Sequence, residues 1–142
     1  LYKKIVDDKK MALQVGAINL SQEDYGTYIL YGLPLGDASL DDLVTEMDEE
    51  ILKIKNNLIS ERDYQKIQNK FENSFVNSNS SFEGIANSLA RYYMLYGDVN
   101  LINNEIDIYR SITREEIQSV ANKYLNTDQR LLLEYLPESE KE

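Results

Sequence analysis

The sequence predicts an α+β fold: an antiparallel sheet, made of a hairpin and a C-terminal strand, covered on one face by about five helices. Three observations carry this prediction. Two runs rich in β-formers, residues 11–18 and 27–33, flank a polar stretch that ends at Gly26. From Ser39 to Tyr124 apolar residues then recur at i, i+3, i+4 and i+7, in segments opened by Ser or Thr. Last comes a leucine-rich run, residues 130–136, stopped by Pro137. One antiparallel sheet with helices on one face is the economical packing for that order.

The elements follow from local chemistry. Residues 1–8 form the tail of a helix, with Tyr2, Ile5 and Val6 on one face and Lys9 and Lys10 at the C-terminal end, where cations are favoured. The first strand alternates Leu13, Val15 and Ala17 against Gln14 and Gly16. A long polar loop over residues 19–26 leads to the second strand, which Pro34 and Gly36 stop. Ser39 and Asp42 make a variant capping box. Leu40, Leu43, Val44, Met47, Ile51, Ile54 and Leu58 then mark five turns of amphipathic helix. Ser60 caps the next helix, with Tyr64, Ile67, Phe71 and Phe75 on one face. Ser80 and Glu83 read as a capping box for a helix that turns Phe82, Ile85, Ala86, Leu89, Tyr93 and Tyr96 inward and ends at Gly97. A short helix covers residues 101–110. Thr113 and Glu116 box the last helix, which carries Ile117, Val120, Ala121 and Tyr124. Residues 139–142 form a charged tail. Three strands are few for this much helix, which predicts N-terminal residues missing from a longer protein.

The 142 residues fit one domain, with a globular balance of 42% apolar and 28% charged residues. Fifteen Lys and Arg face 25 Asp and Glu, a net charge of −10, which repels phosphate backbones and anionic lipid. The expectation is no nucleic acid partner and no membrane insertion. There is no histidine and no cysteine. The commonest zinc ligand, the commonest general base and every thiolate site are therefore absent.

The remaining candidates are weak. Asp98, Asn100, Asn103 and Glu105 superficially offer a calcium loop, but the spacing is wrong and the central Gly is lacking. The acidic run 41–50 reads as a solvated helix face. Ser78, Ser80 and Ser81 have no imidazole to activate them, and no Gly-x-Ser-x-Gly elbow occurs. Eleven tyrosines, among them Tyr28, Tyr31, Tyr92, Tyr93 and Tyr96, read as core edge or as a peptide-binding surface. Asn19-Leu-Ser21 and Asn79-Ser-Ser81 match the glycosylation sequon.

Residues 1–15, Leu-Tyr-Lys-Lys-Ile-Val-Asp-Asp-Lys-Lys-Met-Ala-Leu-Gln-Val, resemble the C-terminal-domain signature of the pitrilysin/insulinase metallopeptidases, without the Gly-Ser-Ser-Arg type helix start that precedes it there. The resemblance runs on through Tyr31-Gly-Leu-Pro34, residues 49–55, residues 59–66 and Ile112-Thr-Arg-Glu-Glu-Ile to Leu125. It implies an incomplete half of a two-layer domain like those of the mitochondrial processing peptidase, with residues 1–142 forming a single, N-terminally truncated C-terminal domain. In that family an inverted His-x-x-Glu-His motif in an earlier domain binds zinc, and two halves enclose a peptide chamber. The zinc would lie in the missing N-terminal domain. The partners would be that domain, a facing subunit or half in a homo- or heterodimer, and peptide substrate. A periplasmic or secreted location would need a signal in the missing N-terminus.

The resemblance also implies one catalytic contribution from this domain type, an Arg and a Tyr in the pattern Arg-x-x-x-x-Leu-x-Tyr that reach the substrate at the facing zinc site. Here those positions fall on Val6 and Leu13, whose side chains donate no hydrogen bond. No catalytic and no metal-binding residue is therefore expected in this chain, and its substrate-binding residues are left open. The expected function is a non-catalytic, substrate-enclosing domain of a zinc-dependent endopeptidase acting on peptides or unfolded segments. The alternatives are a structural or assembly domain of an inactive family member, and an acidic peptide-binding module.

Overall fold

A computed structural model of the chain describes residues 1–136. Pro137 and the charged tail over 139–142 lie outside the described residues. The fold is α+β. A π-helical turn, Lys3–Asp8, precedes strands β1 (Ala12–Ser21) and β2 (Gly26–Pro34). Helices α1 (Leu40–Asn56), α2 (Glu61–Ser78), α3 (Phe82–Tyr96), α4 (Leu101–Ser111) and α5 (Arg114–Tyr124) come next, then a short 3₁₀ turn at Thr127–Gln129. The chain divides into two compact units, Leu1–Asn56 with Val120–Glu142, and Asn57–Ser119. Helix α5 contributes its first half to the second unit and its last turns to the first.

In the first unit β1 and β2 pair antiparallel, from Gln14 opposite Leu33 to Ser21 opposite Gly26. The strands zip further than their composition predicts. The loop is only residues 22–25, closed by the Gln22 N–H donating to the Tyr25 carbonyl at 2.8 Å. A bulge lies between Ala12 and Gln14. Strand alternation puts Val15, Leu30 and Gly32 on one face. Helix α1 covers that face, and Gly32 permits the approach: a Cβ there would sit 2.9 Å from Leu43 Cδ2. Ile5, Ala12, Val15, Leu43 and Met47 form the buried cluster, with Leu1, Val6, Met11 and Leu30 packed around it. Ile5 is fully buried because the π-helical turn is tied at both ends. The Ile5 N–H donates to the Leu1 carbonyl, and the Met11 N–H donates to the Ile5 carbonyl, both at 3.0 Å. Lys10, at φ 53°, makes the sharp change of direction into β1.

Helix α1 ends at Asn56, so Leu58 lies beyond it and Ile54 is exposed. Its C-terminus is held by polar contacts. Lys55 Nζ donates to Asn126 Oδ1 (2.7 Å) and to the Leu125 carbonyl (3.2 Å), and Asn122 donates to the Lys55 carbonyl (3.0 Å).

The C-terminal strand expected over residues 130–136 does not form. The sheet has two strands, β1 and β2, among the described residues. Arg130 is anchored to Asp48 by an ion pair, but residues 131–136 run on as irregular backbone. The composition is that of a strand, but among the described residues the segment pairs with neither β1 nor β2.

In the second unit local chemistry prevails at the helix ends. Ser60 Oγ accepts from the Asp63 N–H (3.1 Å). The Thr113–Glu116 box is reciprocal, with the Thr113 N–H donating to Glu116 Oε2 (2.7 Å) and the Glu116 N–H donating to Thr113 Oγ1 (3.2 Å). Gly97, at φ 69°, closes α3 in the left-handed conformation. The cap of α3 is Ser81, one residue later than the Ser80–Glu83 pattern predicts. Its Oγ accepts from the Gly84 N–H (3.1 Å), while Ser80 donates to the Asn77 carbonyl. The buried face also differs from the expected one: Gly84, Ser88, Leu89, Tyr92 and Leu95 are half-buried, whereas Phe82, Tyr93 and Tyr96 are exposed. Helix α2 packs on α4 through Phe71 stacked on Tyr109, and Ile67 is exposed. Tyr64 Oη donates to the Ile112 carbonyl (2.6 Å) and accepts from Gln68 Nε2 (2.6 Å).

Candidate functional site

The positions singled out by the Arg/Tyr pattern are built by the π-helical turn and the start of β1. Val6 is half-buried and packs against the cluster around Ile5. Leu13 falls in the bulge between Ala12 and Gln14, and the bulge turns its side chain out to 56% exposure. Leu13 is thus a surface residue and not part of a strand core. Neither side chain can donate to a developing oxyanion. Around them the polar groups are Lys9, paired with Glu46, and Gln14, whose Nε2 donates to Tyr31 Oη at 3.0 Å. Gly16, opposite Tyr31, makes room for that ring: a Cβ at Gly16 would sit 2.5 Å from the Tyr31 hydroxyl.

The carboxylates do not converge on a metal. Among the described residues no group of three His, Cys, Asp or Glu could hold an ion. With no imidazole and no thiolate in the sequence, a tetrahedral zinc site does not fit this chain. The superficial calcium loop is taken apart by its own hydrogen bonds. Asp98 Oδ1 accepts from the Asn100 N–H at 2.9 Å, a local turn ahead of α4. Glu105 lies apart on α4, with Oε2 buried and lacking a hydrogen-bond partner. Burial pushes its carboxyl above the usual range, partly offset by the nearby Arg91 guanidinium.

The other carboxyls with shifted titration belong to structure. Glu50 is held below the ordinary range chiefly by its hydrogen bond from Lys53. Glu116 is lowered by the Thr113 N–H and hydroxyl of the capping box. A shallow depression along α2 is lined by Asn69, Glu72, Asn73 and Val76, and Arg110 pairs with Glu72 beside it. It offers amides and one paired carboxylate, with no nucleophile and no base. Of the sequons, Asn19 is exposed on β1, but Asn79 is engaged, donating to the Phe75 carbonyl at 2.9 Å with its Oδ1 buried. The tyrosines divide as well. Tyr92 is half-buried, Tyr93 and Tyr96 are exposed on α3, and Tyr28 and Tyr31 point to opposite faces of the hairpin.

The hairpin's outer face was not legible as a feature. Ile18, Leu20, Ile29, Tyr31 and Leu33 alternate with inward residues along the two strands and are all exposed on the side away from α1. The signal was the apolar character of both phases of the alternation, which marks a strand covered on both faces.

This architecture is that of a domain found in zinc-protease chains. A protease from Helicobacter pylori matches at TM-score 0.79 with 20% identity, over 89% of this chain and 30% of that one. The inactive peptidase domain of a Bordetella parapertussis chain assigned as a zinc protease matches at 0.78 with 18% identity, over 91% of this chain and 68% of that one. A Bordetella pertussis Tohama I chain with the same assignment matches at 0.77 with 18% identity, over 94% and 74%. The chain spans less than a third of the H. pylori protease. No protein-family model matches the sequence, and no curated protein matches it.

Proposed function

We propose that the chain is a non-catalytic, substrate-enclosing domain of a zinc-dependent endopeptidase that cleaves peptides or unfolded segments. One conjunction carries this reading: a fold shared with zinc-protease domains is built here from a sequence without a single histidine or cysteine. Zinc would be held, and water activated, by residues outside these 142, in an earlier domain of the same protein. The groups on this chain would shape the chamber and exclude water, and the Val6 and Leu13 positions would leave the donation of hydrogen bonds to a facing subunit or half.

A second reading is a structural or assembly domain of an inactive relative. It is favoured by the name of the B. parapertussis neighbour, an inactive peptidase domain. The two are separated by assaying the full-length protein on a quenched fluorogenic peptide, with and without chelator, beside the 142-residue chain. The first reading expects chelator-sensitive turnover by the full-length protein and none by the chain. No turnover by the full-length protein selects the second. Activity of the chain alone sinks both.

A further inference from the structure

Helix α2 carries a stretch whose charge departs from that of the rest of the chain. Over residues 64–78 the charged side chains are Lys66, Lys70 and Glu72, in a sequence with 25 acidic and 15 basic residues. Glu72 is neutralised by Arg110. Lys66 and Lys70 are exposed, and neither is ion-paired among the described residues. Two uncompensated ammonium groups thus stand on a protein of net charge −10.

Beside them runs the shallow depression lined by Asn69, Glu72, Asn73 and Val76. The side-chain amides of Asn69 and Asn73 are exposed and make no hydrogen bond among the described residues. The longer amides of α2 are spent within the fold: Gln65 donates to Glu61, and Gln68 donates to Tyr64. An asparagine side chain offers one carbonyl and one NH₂, the same acceptor and donor that a peptide backbone presents.

Spacing decides what these amides fit. Four helical residues rise about 6 Å, so Asn69 and Asn73 stand about 6 Å apart along the axis. In an extended polypeptide the backbone groups facing one side recur every two residues, about 6.6 Å. The two repeats agree to within the play of a side chain. Lys66 and Lys70 repeat the same interval on the neighbouring ridge, three residues before Asn69 and Asn73. Alternate side chains of an extended peptide share that interval as well.

We propose that this face of α2 binds an extended peptide with an acidic side chain at every second position. Asn69 and Asn73 hold its backbone, and Lys66 and Lys70 pair with its carboxylates. Charge complementarity selects that occupant, because neutral and basic segments gain nothing from the two ammonium groups. A helical partner is disfavoured, since its backbone groups are spent in its own ladder and would leave both amides unmatched. The proposal rests on the peptide-handling part of the function proposed above, and not on zinc chemistry.

Fluorescence anisotropy of a labelled, alternating Glu-Thr octapeptide tests it. The titration is run on the 142-residue chain and on the full-length protein, with chelator present to stop turnover. Saturable binding is expected, weaker by roughly 10-fold or more when the peptide's backbone nitrogens are methylated. Asn69→Ala combined with Asn73→Ala should lose a similar factor. Both positions are exposed and alanine is the better helix former, so that variant should keep the unfolding midpoint or raise it. Lys66→Gln combined with Lys70→Gln should weaken the Glu-Thr peptide by roughly 3- to 10-fold and leave a Gln-Thr peptide unchanged. Absence of saturable binding, or binding indifferent to the asparagine pair or to the methyl groups, would overturn the proposal. So would a Gln-Thr peptide bound as tightly as the Glu-Thr peptide. Chelator-sensitive turnover without this binding would sink the proposal and leave the peptidase reading standing. Binding by a full-length protein that turns over no peptide would do the reverse.

Discussion

Replacing Ile5 by alanine should remove most of what organises the first unit. Among the described residues Ile5 is the one large side chain there with no exposure, and it touches the sheet and α1 through the cluster with Ala12, Val15, Leu43 and Met47. The substitution deletes three carbons. At about 0.8 kcal/mol per buried carbon this is about 2.4 kcal/mol of transfer free energy. The residual cavity, taken as roughly 50 Å³ after partial collapse, adds about 1.2 kcal/mol at 24 cal/mol per Å³. The total is about 3.6 kcal/mol. With a urea slope of about 2 kcal/mol/M the midpoint should fall by about 1.8 M. Ile5→Val, one carbon smaller, should cost about 1 kcal/mol and shift the midpoint by about 0.5 M. The assay is urea unfolding followed by far-UV circular dichroism, with exchange of the β1 and β2 amides to assign the loss to the first unit. A shift below about 0.3 M for Ile5→Ala would refute the placement of the core.

Other perturbations probe the second unit. Thr113→Ala removes the hydroxyl of the reciprocal cap and should cost about 1 kcal/mol in thermal or urea unfolding. Glu116 has a depressed folded pKa, so its contribution is present above the ordinary carboxylate range and is lost as pH falls through the folded value. Thr113→Ala should therefore also flatten the loss of stability on acidification, measured by unfolding at pH 7 and at pH 3. Glu105 has the opposite sign. Its folded pKa is raised by burial, so it favours folding most below the unfolded value and loses that contribution as pH rises through the folded value. Glu105→Gln should raise the urea midpoint at pH 7 and change it less at pH 4, where the buried carboxyl is more nearly protonated in both states. Tyr64→Phe deletes the hydroxyl that links α2 to the Ile112 carbonyl and to Gln68, and should cost about 1 kcal/mol in the same unfolding assay.

The features legible in the sequence were local. Ser60, the Thr113–Glu116 box and Gly97 are recognised because each satisfies orphan backbone groups within its own turn. The hairpin is legible for the same reason, since its two runs of β-formers are adjacent. The failures lie where the outcome depends on distant chain. Ser80 and Ser81 offer nearly the same cap, and which face of α3 is buried is set by its packing and not by the cap. That helix is apolar on more than one side, with Phe82, Tyr93 and Met94 exposed as well as Leu89 and Leu95 half-buried, so periodicity alone does not choose. Residues 130–136 have the composition of a strand, but a strand needs an edge to pair with, and that partner is not encoded in the segment. As for the site, the sequence shows that no imidazole and no thiol is available in this chain. The exposure of Leu13 was hidden, because a bulge leaves no mark in strand alternation until the register is known.

The proposed function requires that these side chains hold no transition metal and activate no hydroxyl, with any activity borrowed from polypeptide elsewhere. The direct measurement is turnover of a quenched fluorogenic peptide by the purified 142-residue chain, after dialysis against zinc and with metal content determined in parallel. The account predicts no turnover and no retained stoichiometric zinc. Hydrolysis by the chain alone, or one zinc held per chain through dialysis, would contradict it.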